Sequence, residues 1–415
     1  MDRLSFLNST ERTLLFLVSD ALNGTSHTIE TDKLDWAALK YEAYIQTVSV
    51  LAFSKLNASV CGEAELDDIR RFLKLQMSRN IAVNQAHVFL DSVMQSAGIP
   101  YTIIKGAASA AYYPDAFVRS MGDVDFLINR SDYERADAVL TEKGFKRSDR
   151  GHFYHIVYEF NGCRYEMHFE PAGIPDGEVG AVVHGYIADV IACAREKETV
   201  FGRITVPSEF HHGLIMLLHI AHHLTTEGIG LRHLCDWAVF VRAFSDDEFC
   251  SLFEEKLRKI GLWDFAQLIT RICILTLGCP DKAWAGEHDD RLEEGILKDM
   301  LKGGNFGQKS GARTHESLLI SNASKGGIDD KPMVNQFIES VNDIIYAKWP
   351  ASKRCKLLLP FGWLFYLGRY VLRSVFGKRT RIEPKKIVTE AAARKTLYGK
   401  LNLFVTDDKK QGGGR

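Results

Sequence analysis

The 415-residue sequence lacks several features that would place it in a special class. No apolar run reaches about 18 residues, so we expect no transmembrane helix. The eight cysteines are scattered without a CxxC pair, which indicates reduced thiols and not a disulfide framework or a cysteine zinc cluster. Lys and Arg total 52 against 53 Asp and Glu, which excludes a globally basic nucleic-acid coat. Glu11, Arg12 and Asp20 interrupt the N-terminal apolar residues, which is not typical of a signal peptide, so we expect a cytoplasmic globular protein.

The amino-acid composition is typical of a globular protein, and the spacing of the apolar residues divides the chain into regions. It is 46% hydrophobic and 25% charged, and its length suits two or three domains of about 150 residues. Apolar residues recur at threes and fours at both ends, whereas short β-branched runs alternate with helical patterns between them. The predicted division is an N-terminal helical region (1–98), an α/β core (99–205), a helical domain (206–302), a loop (303–332), a C-terminal helical region (333–402) and a disordered tail (403–415).

The α/β core contains the clearest local signals. Residues 101–104 predict a strand, and Lys105-Gly106 followed by small residues predicts a helix packed closely on it. Residues 121–129 alternate as a second strand, and Asn161-Gly162 separates the two halves of a predicted hairpin. The order strand, helix, strand, helix, hairpin predicts an α+β fold: a small mixed sheet with helices, flanked by N- and C-terminal helical regions.

Two carboxylates stand out on the second predicted strand. Asp123 and Asp125 share one face, since same-face residues on a strand are about 7 Å apart. With a third carboxylate on a nearby strand they would form an oxygen ligand set for Mg²⁺ (or Mn²⁺), and two such cations assist phosphoryl displacement. An Asp-x-Asp pair alone is also typical of a solvated strand face.

The residues around this pair resemble a known family. The run IIKGAASAAYYPDAFVRSMGDVDFLI, the later Glu166-Met-His168 and a helix with Arg232 and Asp236 resemble the polymerase-β-type nucleotidyltransferase superfamily, in particular an uncharacterised bacterial nucleotidyltransferase family. The resemblance implies a nucleotidyltransferase-type sheet and Mg²⁺-dependent transfer of a nucleoside monophosphate from an NTP to an unknown acceptor. It implies that the catalytic metals are held by Asp123, Asp125 and Glu166, and that the nucleotide is contacted by Lys105, Gly106, Ala107, Arg119 and Gly122.

Two departures from the family pattern keep a second interpretation open. Ala107 follows the glycine where Ser or Gly is common, and the third carboxylate is Glu166 where Asp is frequent. If these departures disturbed the metal geometry, the chain would be a catalytically inactive nucleotide-binding or interaction protein that keeps the fold. The acceptor stays open among a small molecule, a glycan precursor, a protein side chain and an RNA end. The near-neutral charge argues against nucleic acid.

Three histidines could belong to the cleft. His168 shares the strand face of Glu166, where it could orient that carboxylate, contact substrate or make a structural hydrogen bond. His219 and His223 form an i, i+4 pair that could line the cleft, bind a metal or lie in the core. Arg232 and Asp236 have the same spacing, which predicts an ion pair between them.

A basic aromatic segment lies near the C-terminus, over residues 353–379. The surrounding residues 344–382 contain nine Lys or Arg and no Asp or Glu, together with the apolar run 357–367. This pattern suits a helix on an anionic membrane surface, an apolar helix packed on the body, or a patch for an acidic partner or nucleic acid. We therefore expect a cytoplasmic protein, and in the first case a peripheral contact at the inner membrane surface.

Overall fold

Helices form the N-terminal part of the computed structural model, which describes residues 3–31, 34–148, 155–310, 313–320, 332–365, 368 and 384–408. Asn8 caps the first helix: its side-chain oxygen accepts a hydrogen bond from the Glu11 amide. The Asn8 amide in turn donates a hydrogen bond to the Glu11 carboxylate. These helices are α1 (Ser9–Asn23), α2 (Trp36–Ile45), α3 (Ser49–Phe53), α4 (Ala58–Cys61) and α5 (Glu63–Ser96).

A mixed five-stranded sheet follows, with strand order β1-β2-β5-β4-β3. Its elements and the helices between them are β1 (Tyr101–Ile103), α6 (Gly106–Ala110), β2 (Val124–Ile128), α7 (Tyr133–Glu142), β3 (Lys146–Arg147), β4 (His155–Phe160) and β5 (Cys163–His168). β2 and β5 are parallel, and the other neighbouring pairs are antiparallel. The predicted order of elements is confirmed, with the short β3 added to it.

The hairpin between β4 and β5 turns at the predicted residues. Asn161 and Gly162 have φ values of 47° and 72°, the left-handed conformation that a type I′ turn requires at both central positions. After the hairpin come α8 (Gly177–Ile187) and a separate two-stranded sheet, β6 (Arg195–Thr199) and β7 (Gly202–Val206).

The remaining described elements are helical. They are α9 (Glu209–Thr225), α10 (Leu231–Arg242), α11 (Asp246–Lys259), α12 (Trp263–Leu277), α13 (Asp290–Gly303), α14 (Arg313–Ile320), α15 (Met333–Lys348), α16 (Pro350–Arg354) and α17 (Pro384–Gly399). None of the described helices is both long enough and apolar enough to cross a bilayer. The predicted α+β class is confirmed.

Two large apolar cores organise the described elements. One face of the five-stranded sheet packs against α5 and α7 through residues such as Phe126, Met167, Leu90 and Leu140. The other core joins α1 and α3 to the helices from α9 to α13. The helices at the N-terminus and those after residue 206 thus share one core despite their separation in sequence. The division into domains stays a prediction.

Two C-terminal segments differ from the prediction. Part of the predicted loop 303–332 forms α14, because Arg313 makes a buried ion pair with Asp299 on α13. The predicted disordered tail 403–415 begins with buried residues: Leu403 and Phe404 are 4% and 3% exposed. The amide of Phe404 also donates to the Gly261 carbonyl, at 3.0 Å. Residues 311–312, 321–331 and 409–415 of these segments lie outside the described residues.

Candidate active site

Three carboxylates meet on the sheet face opposite the core. Asp125 on β2 pairs in register with Glu166 on the parallel strand β5, and Asp123 precedes Asp125 by two residues. The alternating neighbours Val124 and Tyr165 point into the core on the other side. The structure therefore brings together the three residues predicted to be catalytic.

Lys105 and His168 both contact Asp125. Lys105 Nζ lies 3.5 Å from Asp125 Oδ1, and His168 Nε2 lies 2.9 Å from the same oxygen. Burial alone would raise the pKa of Asp125, but the charge of Lys105 and the hydrogen bond with His168 hold it well below its ordinary value. Asp125 is therefore ionised at neutral pH, as a metal ligand must be.

Burial and neighbouring negative charges disfavour the ionised forms of the other two carboxylates. Burial and the charge of Asp125 raise the pKa of Asp123. Burial and the charges of Asp125 and Asp123 raise the pKa of Glu166, although Arg164 lies 2.6 Å from its Oε1. A divalent cation between these oxygens would relieve the repulsion, so the donor set fits the Mg²⁺ or Mn²⁺ expected from the sequence.

The turn after β1 is strained at the site. Lys105 and Gly106 have φ values of 58° and 42°, a conformation that a non-glycine residue such as Lys105 rarely adopts. A Cβ on Gly106 would lie 2.5 Å from His87 Nε2 on α5. Glycine is therefore required for close packing as well as for the backbone conformation. Ala107, predicted with Gly106 to contact nucleotide, is 4% exposed and lies in the sheet core.

A buried ion pair joins the loop before β2 to helix α10. The Arg119 Nε and Nη2 atoms donate to the two oxygens of Asp236 at 2.8 and 2.7 Å. Tyr113 donates a further hydrogen bond to Asp236, at 2.7 Å. This geometry differs from the prediction in two ways: Asp236 pairs with Arg119 and not with Arg232, and the Arg119 charge predicted to face phosphates is balanced internally.

Arg232 lies near Arg119 but has fewer hydrogen-bond partners among the described residues. One Arg232 nitrogen, Nη1, donates to the Ser120 carbonyl at 3.2 Å. Its Nε is buried and has no hydrogen-bond partner among the residues that the structure describes. Burial and the nearby charge of Arg119 lower the pKa of Arg232. The guanidinium of Arg232 thus stands beside the carboxylates with donors still available.

A cluster of imidazoles forms the wall opposite the sheet. His219 and His223 on α9 have ring centroids 4.2 Å apart, and His233 on α10 lies 5.5 Å from His219. Phe306 packs edge-on against His223 and His233. Burial lowers the pKa of His219 and His233 well below the ordinary value, so both rings are neutral at pH 7. Within the described residues, both ring nitrogens of His233 lack hydrogen-bond partners.

Most of these groups border one cavity of about 490 Å³, a size typical of small-molecule sites. The predicted site residues in its lining are Lys105, Gly106, Arg119, Gly122, Asp123, Asp125, Glu166, His219 and His223. Ala107 and His168 are not in the lining, and His168 acts on the site through Asp125. Sequence reasoning missed His233 and Phe306, and no local motif marks either residue.

The family described as uncharacterised nucleotidyltransferase matches residues 32–278, which is more than half of the chain. The chain belongs to this family. Among solved structures, it is similar to an antigenic nucleotidyltransferase-like protein from Paracoccidioides brasiliensis, with 16% sequence identity and a TM-score of 0.32. That similarity covers 51% of this chain and 98% of the other. No curated protein matches significantly.

The family match and the cavity do not cover the same residues. The matched range includes the strained turn at Lys105, the three carboxylates, Arg119, the imidazoles and Asp236. Phe306 and the basic aromatic segment lie beyond it. The matched range therefore includes the sheet side of the cavity and the imidazoles of the opposite wall, whereas Phe306 on that wall comes from a later part of the chain.

Proposed function

We propose that this protein transfers a nucleoside monophosphate from an NTP to an acceptor and releases pyrophosphate, with two divalent cations at the carboxylates. The observation that carries the proposal is the placement of Asp123, Asp125 and Glu166 in one cavity with Lys105 and Arg232. When bound there, the cations would stabilise the attacking and leaving oxygens of an in-line displacement. Membership in the nucleotidyltransferase family supports the same reaction class.

Two basic side chains of the protein would bind the triphosphate. Lys105 reaches Asp125 at 3.5 Å, close enough for its ammonium group to contact both that carboxylate and a phosphate oxygen nearby. Arg232 would bind phosphate with the donors that its contact with Ser120 leaves over. Arg119 would instead position Arg232, since it holds α10 against the loop before β2.

Glu166 would activate the hydroxyl group of the acceptor. Its raised pKa suits a group that accepts the proton of an attacking hydroxyl and helps to hold the nearby cation. The neutral rings of His219 and His233 offer hydrogen bonds without charge, which suits a nucleobase or an acceptor hydroxyl.

The experiment uses the four NTPs, each labelled at the α-phosphate, with Mg²⁺ or Mn²⁺ and a host-cell extract. We expect pyrophosphate release and transfer of label to one acceptor, both abolished by EDTA. Saturable NTP binding without pyrophosphate release under either cation would instead support the catalytically inactive nucleotide-binding protein.

We also propose that the basic aromatic segment contacts an anionic membrane surface. Residues 353–365 and 368 of this segment are described, and residues 366–367 and 369–379 lie outside the described part. Leu357, Phe361 and Leu364 are 81%, 64% and 69% exposed, beside exposed Lys353 and Arg354. Exposed apolar side chains with basic flanks support a lipid surface over internal packing.

One side of the segment does pack on the protein. Trp363 donates from its indole nitrogen to Asn342 on α15 at 2.9 Å, and its ring packs edge-on against Phe337. This anchoring leaves Phe361 and Leu364 outward, so the proposed membrane contact requires no unfolding of the segment.

Vesicle flotation tests the membrane contact. We expect the protein to float with anionic vesicles at low salt and less at high salt, because each Lys or Arg near the surface contributes about 1 kcal/mol that salt screens. Leu364→Glu should reduce flotation, whereas Leu75→Glu should not, since Leu75 is an exposed leucine on α5, outside the basic aromatic segment. Equal flotation with neutral vesicles, or none with either, would contradict the proposal.

A further inference from the structure

Two histidines stand beside the carboxylates on the open sheet face. His155 on β4 pairs in register with His168 on β5, and Glu166 lies two residues before His168 on the same face. His155 Nε2 is 3.4 Å from Glu166 Oε2, and His168 Nε2 is 3.7 Å from the same oxygen. His168 Nε2 also lies 2.9 Å from Asp125 Oδ1. The donor atoms of His155, Glu166 and His168 therefore surround one small volume, and Asp125 Oδ1 adjoins it through its contact with His168.

The two separations from Glu166 Oε2, 3.4 and 3.7 Å, are close to those between ligands around one cation. Ligands at about 2.0–2.2 Å from a tetrahedral metal ion lie about 3.3–3.6 Å from one another. Within the described residues, one donor atom each from His155, Glu166 and His168 lies within 4.8 Å of the others. Small shifts of side chains would place all of these donors at bonding distance from one ion.

The donor types distinguish among cations. Mg²⁺ takes oxygen ligands and keeps several waters, whereas imidazole nitrogen suits Zn²⁺, Fe²⁺ and Ni²⁺, and Mn²⁺ accepts oxygen and nitrogen ligands together. A site with oxygen ligands alone, as Asp123, Asp125 and Glu166 would form, does not require histidines. The two histidines therefore add a preference that the carboxylates by themselves lack.

We infer that His155, Glu166 and His168, with Asp125 beside them, form a nitrogen- and oxygen-coordinated site that binds a first-row transition-metal cation in preference to Mg²⁺. The inference rests on the proposed function, because Asp125 and Glu166 belong to both. His168 Nε2 and Asp125 Oδ1 lie at hydrogen-bond distance, 2.9 Å, so a cation bound between them would replace that hydrogen bond.

The test uses the full chain and Mn²⁺ alone as the probe. Pulsed electron paramagnetic resonance of bound Mn²⁺ should show coupling to ¹⁴N from the imidazole ligands. His168→Gln should weaken that coupling and lower Mn²⁺ affinity, measured by titration calorimetry, by about tenfold or more, with a smaller effect on Mg²⁺. His155→Gln should act in the same direction. His184→Gln is the matched control, because His184 is an exposed histidine on α8 paired with Glu170.

Bound Mn²⁺ without nitrogen coupling in the wild type would overturn the inference, and so would equal losses of Mg²⁺ and Mn²⁺ affinity in both variants. Circular dichroism establishes that each variant is folded, and the two histidine positions give independent readings if one variant unfolds. Pyrophosphate release is measured on the same preparations. Release with Mg²⁺ but no nitrogen coupling would overturn only the metal preference. Nitrogen coupling without release under any cation would overturn only the proposed function.

Discussion

Replacing Asp123 with asparagine is expected to abolish nucleotidyl transfer while leaving the thermal unfolding midpoint unchanged or slightly higher. A metal-ligand carboxylate supplies several kcal/mol of charge stabilisation, so its loss should slow pyrophosphate release by about a thousandfold or more. Burial and Asp125 raise the pKa of Asp123, so its charged form costs folding free energy at neutral pH in the metal-free protein. Asparagine removes that cost. The rate is measured as pyrophosphate release and the midpoint by circular dichroism.

Asp125→Asn should be equally inactive but less stable, since Asp125 is 7% exposed and contacts both Lys105 and His168. Asp125 therefore does not lie on a solvated strand face, the alternative that an Asp-x-Asp pair alone leaves open. Glu142→Gln, an exposed carboxylate change on α7, is the matched control and should alter neither rate nor midpoint. Wild-type turnover in Asp123→Asn would remove Asp123 from the metal site.

Replacing Arg119 is expected to reduce stability, whereas the same replacement of Arg232 is expected to reduce NTP binding. Arg119→Met should lower the free energy of unfolding by about 3–5 kcal/mol, because it leaves the Asp236 carboxylate buried without its ion partner. Arg232→Met should change it by about 1 kcal/mol or less, since it removes only the bond to Ser120. It should instead weaken NTP binding by about tenfold or more, the effect of one lost charged hydrogen bond. Urea denaturation and nucleotide titration measure the two effects.

Arg70→Met is the matched control for both arginines, since Arg70 pairs with Asp67 on the exposed side of α5. It should cost less than about 1 kcal/mol and leave NTP binding intact. A stable Arg119→Met protein with impaired NTP binding would return the phosphate-binding role to Arg119. Unchanged NTP binding in Arg232→Met would show that Arg232 does not contact the triphosphate.

The sequence by itself determined the sheet side of this protein. The alternation through Asp123 and Asp125 has the period of a strand, so both carboxylates had to share one face. The Asn161-Gly162 turn sets the register of β4 against β5, and with it the face on which Glu166 and His168 stand. These features are local, because each depends on residues a few positions apart. For the same reason, the family signature is recognisable in the sequence as short runs of neighbouring residues.

Only the tertiary structure decided which groups meet these carboxylates. The i, i+4 spacing of Arg232 and Asp236 allowed an ion pair between them. In the structure, however, Asp236 pairs with Arg119, which is 117 residues away in the sequence, and Arg232 lines the cavity instead. His155 becomes a neighbour of Glu166 only when β4 pairs with β5. Phe306 reaches the imidazoles because a turn after α13 folds back onto α9 and α10. Contacts of this kind depend on how distant elements pack, and no periodicity or spacing within the sequence records that packing.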